Sequence, residues 1–83
     1  MGNEITFEIK KHYGNIAENS SSGWSKELNV VVWNGREPKL DIREWNPEHD
    51  HMSRGITLNV EEAGNLYNLL TEAMLDGSWQ GEE

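Results

Sequence analysis

Two alternating segments joined by an Asn-Gly pair constrain the fold of this chain more than any other feature. The first, Trp24–Trp33, reads WSKELNVVVW, and the second, Lys39–Trp45, reads KLDIREW. Side chains on a strand point to opposite faces in alternation, so each segment predicts a strand with one aliphatic face and one mixed face. Asn34-Gly35 between them is typical of a tight hairpin turn, and Pro38 stands where proline does little harm to a strand. We therefore predict an antiparallel hairpin.

The alternation assigns side chains to the two faces of this hairpin. The aliphatic face, which we expect to cover the core, holds Leu28, Val30, Val32, Leu40 and Ile42. The polar face, which we expect to lie on the solvent side, holds Glu27, Asn29, Val31, Trp33, Lys39, Asp41, Arg43 and Trp45. Trp24 and Lys26 fall on the aliphatic side by strict alternation. Exposed tryptophans beside cations are costly unless something binds there, so the polar face is the candidate site.

Two further strands and a helix complete the predicted architecture. Ile5, Phe7 and Ile9 alternate with polar residues and predict a first strand, after which residues 11–18 break the pattern and Gly14 indicates a bulge or bend. Residues 19–23 and 46–53 are predicted loops, and residues 55–58 (GITL) predict a short fourth strand.

A helix is predicted over residues 60–75. Asn59 and Glu62 have the spacing of a capping box, and Gly77 is a suitable end. Its apolar side chains occupy about half of the circumference, more than the stripe of roughly 100° that is typical of a surface helix. Either the sheet wraps the whole arc, or part of it contacts a second copy of the chain. We favour the homodimer, with an interface that includes Leu66, Tyr67, Leu70 and Met74.

Length and composition predict one small domain. The chain has 83 residues and no cysteine, which excludes disulfides and thiolate chemistry. We assign residues 1–76 to the domain and residues 77–83 to a loose acidic tail. No apolar run approaches the roughly 20 residues of a membrane span, and the first ten residues lack the pattern of a targeting peptide, so we expect a cytoplasmic protein.

Charge is distributed unevenly along the chain. The net charge is −8, which by itself disfavours a polyanionic partner. However, residues 1–60 hold all seven Lys and Arg and nine of the fifteen Asp and Glu, whereas the remaining six acids lie in residues 61–83 without a base. The predicted strands can therefore carry a basic patch.

The tryptophans and cations of the predicted sheet suggest a specific chemistry. Aromatic rings on an open sheet stack with unpaired bases, and neighbouring cations bind the phosphates. The cations available are Lys26, Lys39, Arg43 and Arg54. The alternative is that Trp33 and Trp45 pack against the helix or the loops, and the pattern alone leaves both interpretations open.

Other chemistries have little support in the sequence. His49, Asp50 and His51 form an H-x-H pattern without a second ligand cluster, so we interpret them as solvated loop residues and predict no metal or cofactor. No nucleophile motif, acid/base pair or phosphate-binding glycine loop is present, and we predict that the chain is not an enzyme.

These residues resemble a known family. DIREW, a proline-containing loop with a methionine, and a basic residue before GITLN resemble the positive-cofactor-four family of transcriptional coactivators. The segment GWSKELNVVVWNGREPKLDIREWNPEHDHM is similar to its bacterial YdbC-like branch. The resemblance runs from about Trp24 to Leu70.

The resemblance implies an α+β fold, in which a four-stranded antiparallel sheet is followed by one C-terminal helix, and a homodimer that binds single-stranded nucleic acid with little sequence preference. By motif position it implies the contact residues Trp24, Lys26, Asn29, Trp33, Lys39, Arg43, Trp45 and Arg54.

We therefore predict a single-stranded DNA-binding protein of the coactivator class, with RNA left open as a ligand. The alternative is a protein-interaction module that docks through the apolar helix face or a sheet edge. This alternative predicts that the exposed tryptophans are indifferent to nucleic acid, whereas helix substitutions such as Leu66→Glu abolish binding to a protein partner.

Overall fold

The computed structural model describes residues 5–81 and has the predicted α+β architecture. A four-stranded antiparallel sheet has the order β1-β2-β3-β4 and is followed by one helix. The elements are β1 (Phe7–Glu18), β2 (Ser25–Trp33), β3 (Lys39–Trp45), β4 (Ile56–Leu58) and α1 (Val60–Asp76). Each strand pairs with the next along the chain, so the sheet is a simple meander.

The β2–β3 hairpin follows from its turn residues. Asn34 has φ 53° and Gly35 has φ 70°. A type I′ turn needs positive φ at both central positions, which asparagine and glycine tolerate best. The Arg36 amide donates to the Trp33 carbonyl at 2.9 Å and closes the turn. The prediction from the Asn-Gly pair is confirmed.

β1 continues through the segment in which the sequence alternation is lost. Its pairing with β2 skips Lys10, Tyr13 and Ile16, which gives three register shifts within twelve residues. Each bulge adds an unpaired residue and changes the side chains that share a face. The expected irregularity near Gly14 is confirmed, but the broken alternation marks bulges inside a strand and not the end of that strand.

The helix has the predicted caps. The Asn59 side chain accepts from the Glu62 amide at 2.8 Å, and the Glu62 carboxylate accepts from the Asn59 amide at 2.9 Å. Gly77 ends the helix at φ 69°, and its amide donates to the Ala73 carbonyl.

Within the described residues, no helix is both long enough and apolar enough to cross a membrane.

The tail beyond the helix is described as far as residue 81. The Trp79 indole folds back and donates to the Ala73 carbonyl at 2.8 Å, although the side chain remains 62% exposed. A loose tail over residues 77–83 stays a prediction, and its last two residues lie outside the described part.

Burial on the two sheet faces is the reverse of the prediction. Val31 and Trp45, both on the polar face, are the fully buried apolar side chains of the described chain. The aliphatic face is only half-buried, because the helix contacts the sheet at β3 and β4 and has no buried residue of its own. The face assignments hold, but the expectation that the aliphatic face forms the core of the single chain is wrong.

Candidate nucleic-acid interface

A groove lies at one end of the polar face, between the β2–β3 hairpin and the segment that leads into β4. It has a volume of about 570 Å³ and is open to solvent. Its polar lining includes Arg36, Lys39, Arg43 and Arg54, which are four of the seven Lys and Arg of the chain, with Glu37 as the acidic member. We call this site the basic groove. Its position explains how a protein of net charge −8 presents a local positive surface.

Trp33 lines the basic groove and is half-buried. The Phe7 ring lies 6.0 Å from it, centroid to centroid, at 48°. The Arg43 guanidinium lies over the indole, with Cζ 4.6 Å from the ring centroid. The Trp33 Nε1 atom is buried and has no hydrogen-bond partner among the described residues. Arg43 and Phe7 therefore both contact the indole and hold it in place, and the indole remains partly exposed where it lines the groove.

Arg43 is held inside the groove wall by three hydrogen bonds. Its Nε and Nη2 donate to the two carboxylate oxygens of Asp41, at 2.7 and 2.9 Å. Its Nη1 donates to the Ser53 carbonyl at 3.2 Å. The Arg43 side chain is 13% exposed and that of Asp41 is fully buried. A two-pronged pair of this kind compensates the charge of both partners.

The other cations of the groove have a different environment. Arg36, Lys39 and Arg54 are exposed, and no ion pair joins any of them to another described residue. Exposed cations with free ammonium or guanidinium groups are suited to phosphate oxygens. Arg36 was not predicted as a contact. Its position next to the Asn34-Gly35 turn is the sequence feature that could have identified it as one.

Trp45 lies on the polar face as predicted but is fully buried, so the expectation that it is exposed is wrong. The Phe7 ring covers it at 5.0 Å between centroids, and the His49 ring stacks on it at 5.7 Å and 24°. Phe7 comes from β1, which is separated from β3 by β2, and His49 comes from the β3–β4 connection. His49 is a loop residue, as the sequence suggested, and its side chain is 40% exposed, but it also packs on the sheet.

Asn29 is also fully buried, contrary to its expected exposure. Its Nδ2 donates to Glu27 Oε1 at 3.0 Å, and its Oδ1 lies 2.7 Å from His12 Nδ1. It thus belongs to a buried polar cluster and does not reach the basic groove.

Among the described residues, no group of three or more His, Cys, Asp and Glu is arranged to hold a metal ion.

Glu27 is the centre of this cluster. Ser25 Oγ donates to it at 2.6 Å, and His49 Nε2 lies 2.9 Å from the same carboxylate oxygen. Burial raises the pKa of Glu27, but the hydrogen bonds from Ser25, Asn29 and His49 and the attraction of His49 outweigh burial, so the pKa lies below its ordinary value of 4.5. The buried carboxylate is therefore kept ionised by its neighbours.

Trp24 and Lys26 are not brought together with Trp33. They line a separate pocket at the other end of β2, together with Glu18 and Glu44. Strict alternation places Lys26 on the aliphatic side, and its pairing with Glu44 in the sheet agrees with that placement. The two acids offset its charge. The predicted contacts therefore divide into the basic groove, a buried group (Asn29, Trp45) and this acidic pocket.

The predicted dimer contacts lie on an open helix face. Tyr67, Leu70 and Met74 are 71%, 53% and 58% exposed, and Leu66 is half-buried. Leu69 and Leu75 are also exposed. Together with the half-buried aliphatic face of the sheet, the helix leaves a large apolar surface uncovered in the single chain. Surfaces of this kind mark interaction sites in soluble proteins.

This chain matches a known protein family and is similar to a known protein. The family model described as Transcriptional Coactivator p15 (PC4) matches residues 20–69, which is more than half of the chain. A protein of Treponema pallidum (strain Nichols), described as uncharacterized, is 37% identical over 76 residues, which cover 92% of this chain and 88% of that protein. The family match includes β2, β3, β4 and the first part of α1, and so contains Trp33 and the four cations of the basic groove.

Proposed function

The chain belongs to the Transcriptional Coactivator p15 (PC4) family, and we propose that it is a single-stranded nucleic-acid-binding protein with little sequence preference that regulates transcription. Single-stranded DNA is the proposed main ligand, and single-stranded RNA has the same recognisable phosphates and bases. The observation that carries this proposal is the basic groove, which sets Trp33 among four cations in a protein whose net charge is −8.

The proposed binding mode combines stacking and phosphate contacts. Trp33 offers a fixed aromatic surface, on which a stacked base contributes roughly 1–3 kcal/mol. Arg36, Lys39 and Arg54 neutralise phosphates. Because no base edge needs to be read, this mode tolerates any sequence. The proposed contacts therefore differ from the sequence prediction, since Arg36 enters the set, and Trp45 and Asn29 support the sheet from inside.

We propose that the working form is a homodimer. The apolar helix face is exposed, the aliphatic sheet face is only half-covered, and a second identical chain presents the same two surfaces in self-complementary form. Two chains bring two basic grooves to one ligand. If each groove neutralises three phosphates, the log–log dependence of affinity on salt has a slope of roughly −4, at about −0.7 per contact for single strands.

A titration of the protein with a 20-nucleotide oligo-dT, followed by tryptophan fluorescence at several salt concentrations, tests this function. We expect quenching at low salt, weaker binding as salt rises, and much weaker binding of a duplex of equal length. Absence of any fluorescence change or mobility shift at low salt, with the protein folded by circular dichroism, contradicts the proposal.

The exposed helix supports a second candidate, in which the chain docks on a different protein through Leu70 and its apolar neighbours. This module predicts that groove substitutions leave its function intact, whereas helix substitutions abolish it. A cytoplasmic location and the absence of catalysis stay predictions in either case.

A further inference from the structure

We propose that Asp41 and Arg43 act as one charge-compensated unit that positions the Trp33 indole for base stacking, and that the pair itself binds no phosphate. This inference rests on the proposed function and deepens it. It divides the basic groove into a stacking part, built from Trp33 and the pair, and a phosphate part, which consists of Arg36, Lys39 and Arg54.

Three of the five N–H donors of the Arg43 guanidinium are already engaged. Nε and Nη2 face Asp41 at 2.7 and 2.9 Å, and Nη1 faces the Ser53 carbonyl at 3.2 Å. The Nε–Nη2 edge, with which arginine can bind a phosphate in a two-pronged contact, is thus occupied by Asp41. Asp41 is fully buried, so breaking the pair would leave an uncompensated carboxylate charge in the protein interior. Arg43 is therefore committed to Asp41.

The flat surface of the same guanidinium is used as well. Its Cζ lies 4.6 Å from the centroid of the Trp33 ring, within the range of a cation–π contact. Phe7 packs against the indole from β1, with the ring centroids 6.0 Å apart. The pair and Phe7 thus hold Trp33 in place. A platform that is rigid before the ligand arrives avoids the entropy cost of ordering it on binding.

Gly55 leaves the space that the Arg43 side chain needs in this arrangement. A Cβ atom at position 55 would clash with the Arg43 Cβ and the Ile42 carbonyl and would lie 3.0 Å from Arg43 Nε. A side chain at this position would therefore displace Arg43 from Asp41 and Trp33. Gly55 lies immediately before β4, so the path of the chain into this strand affects the position of the Arg43 guanidinium.

The charge balance of the pair leads to a distinct salt signature. The slope of log affinity against log salt reports the counterions that are released when cations neutralise phosphates. A guanidinium compensated by a buried carboxylate releases none. Removal of both charges together should therefore weaken base stacking and leave the slope unchanged. Replacement of Asp41 alone should free a cation in the groove and make the slope steeper.

The experiment compares oligo-dT with an abasic oligonucleotide of equal length, in order to separate base stacking from phosphate contacts. The variants are the charge-neutral double substitution Asp41→Asn/Arg43→Gln, the charge-keeping Arg43→Lys, and Lys39→Gln as a phosphate control. For the double variant and for Arg43→Lys we expect about tenfold weaker binding of oligo-dT, unchanged binding of the abasic strand and an unchanged slope. For Lys39→Gln we expect weaker binding of both ligands and a slope shallower by roughly 0.7 per chain.

The opposite pattern would overturn the inference. If the double variant loses affinity equally for both oligonucleotides and its slope becomes shallower, Arg43 binds phosphate directly. Should the double variant fail to fold, Arg43→Lys decides the question, because a phosphate contact tolerates lysine and a stacked planar support does not. Wild-type protein that binds neither oligonucleotide would contradict the proposed function, and this inference with it.

Discussion

His49 Nε2 lies 2.9 Å from Glu27 Oε2. A residue of the β3–β4 connection thus contacts a residue of β2 that is 22 positions away in sequence. The same imidazole stacks on Trp45 at 5.7 Å. This contact covers the polar face at the end away from the basic groove and leaves the groove itself open. The sheet face is thereby divided into a packed half, which stabilises the fold, and an open half, in which Trp33 lines the basic groove.

The buried carboxylate predicts how stability depends on pH. The folded-state pKa of Glu27 is below its ordinary value of 4.5, so the unfolded chain binds a proton at higher pH than the folded chain does. The contribution of Glu27 is fully present above pH of about 4.5 and is lost as pH falls through the folded pKa. Glu27→Gln should lower stability at pH 7 and flatten the fall of the melting temperature below about pH 4.5.

The exposed Glu44→Gln serves as the control for this measurement, because Glu44 lies on the neighbouring strand and has no part in the Glu27 cluster. We expect it to melt like the wild type between pH 3 and pH 7. Equal acid sensitivity in Glu27→Gln and wild type would contradict the assignment.

Trp45 is predicted to act on stability and not on binding. Trp45→Ala removes a fully buried ring between Phe7 and His49, and should reduce the free energy of unfolding by about 3–5 kcal/mol. Trp79→Ala, at a position that is 62% exposed, should cost less than about 1 kcal/mol. Urea denaturation measures both. A small effect of Trp45→Ala, comparable to that of Trp79→Ala, would show that the ring is not a core residue.

The helix substitution Leu70→Glu tests the dimer. Leu70 is 53% exposed in the single chain and lies in the centre of the apolar helix face. A buried charge at a self-complementary interface is opposed by its own copy, so sedimentation should show a shift from dimer to monomer. Asn68→Glu, on the opposite side of the helix, is the matched control and should remain dimeric. A wild type that sediments as a monomer at high concentration would exclude this interface.

Two glycines are predicted to respond in opposite directions to alanine. Gly55→Ala introduces a clash with Arg43 and Ile42, and should cost about 1–3 kcal/mol of stability and weaken oligo-dT binding. Gly64→Ala lies in the helix with nothing within 4 Å of the added Cβ, and should stabilise the fold by about 1 kcal/mol. Thermal melts of the two variants, with oligo-dT binding measured on each, provide the comparison.

The sequence was sufficient for the element order and for the face of each side chain on β2 and β3. Local signals carry that information: the alternation, the Asn34-Gly35 turn, and the capping box of Asn59 and Glu62. It was not sufficient for what covers each face. Burial of Trp45 depends on Phe7 and His49, which are distant in sequence and reach it through the β1 register and the loop path.

The candidate site shows the same division. Trp33, Lys39, Arg43 and Arg54 were predicted together, and the structure does bring them into one groove. The role of Asp41 was not predicted, although it stands two residues before Arg43 and therefore on the same strand face. Alternation shows that two such side chains are neighbours, but only the structure shows that the carboxylate forms an ion pair with the guanidinium.

The most direct test of the central claim is the dissociation constant for oligo-dT of Lys39→Gln/Arg54→Gln, compared with Lys10→Gln/Lys11→Gln. Both variants remove two cations, but only the first pair lines the basic groove. We predict that the groove variant binds at least tenfold more weakly, with a shallower salt slope, and that the β1 variant binds nearly as the wild type does. Equal losses in the two variants would contradict a nucleic-acid site in the groove.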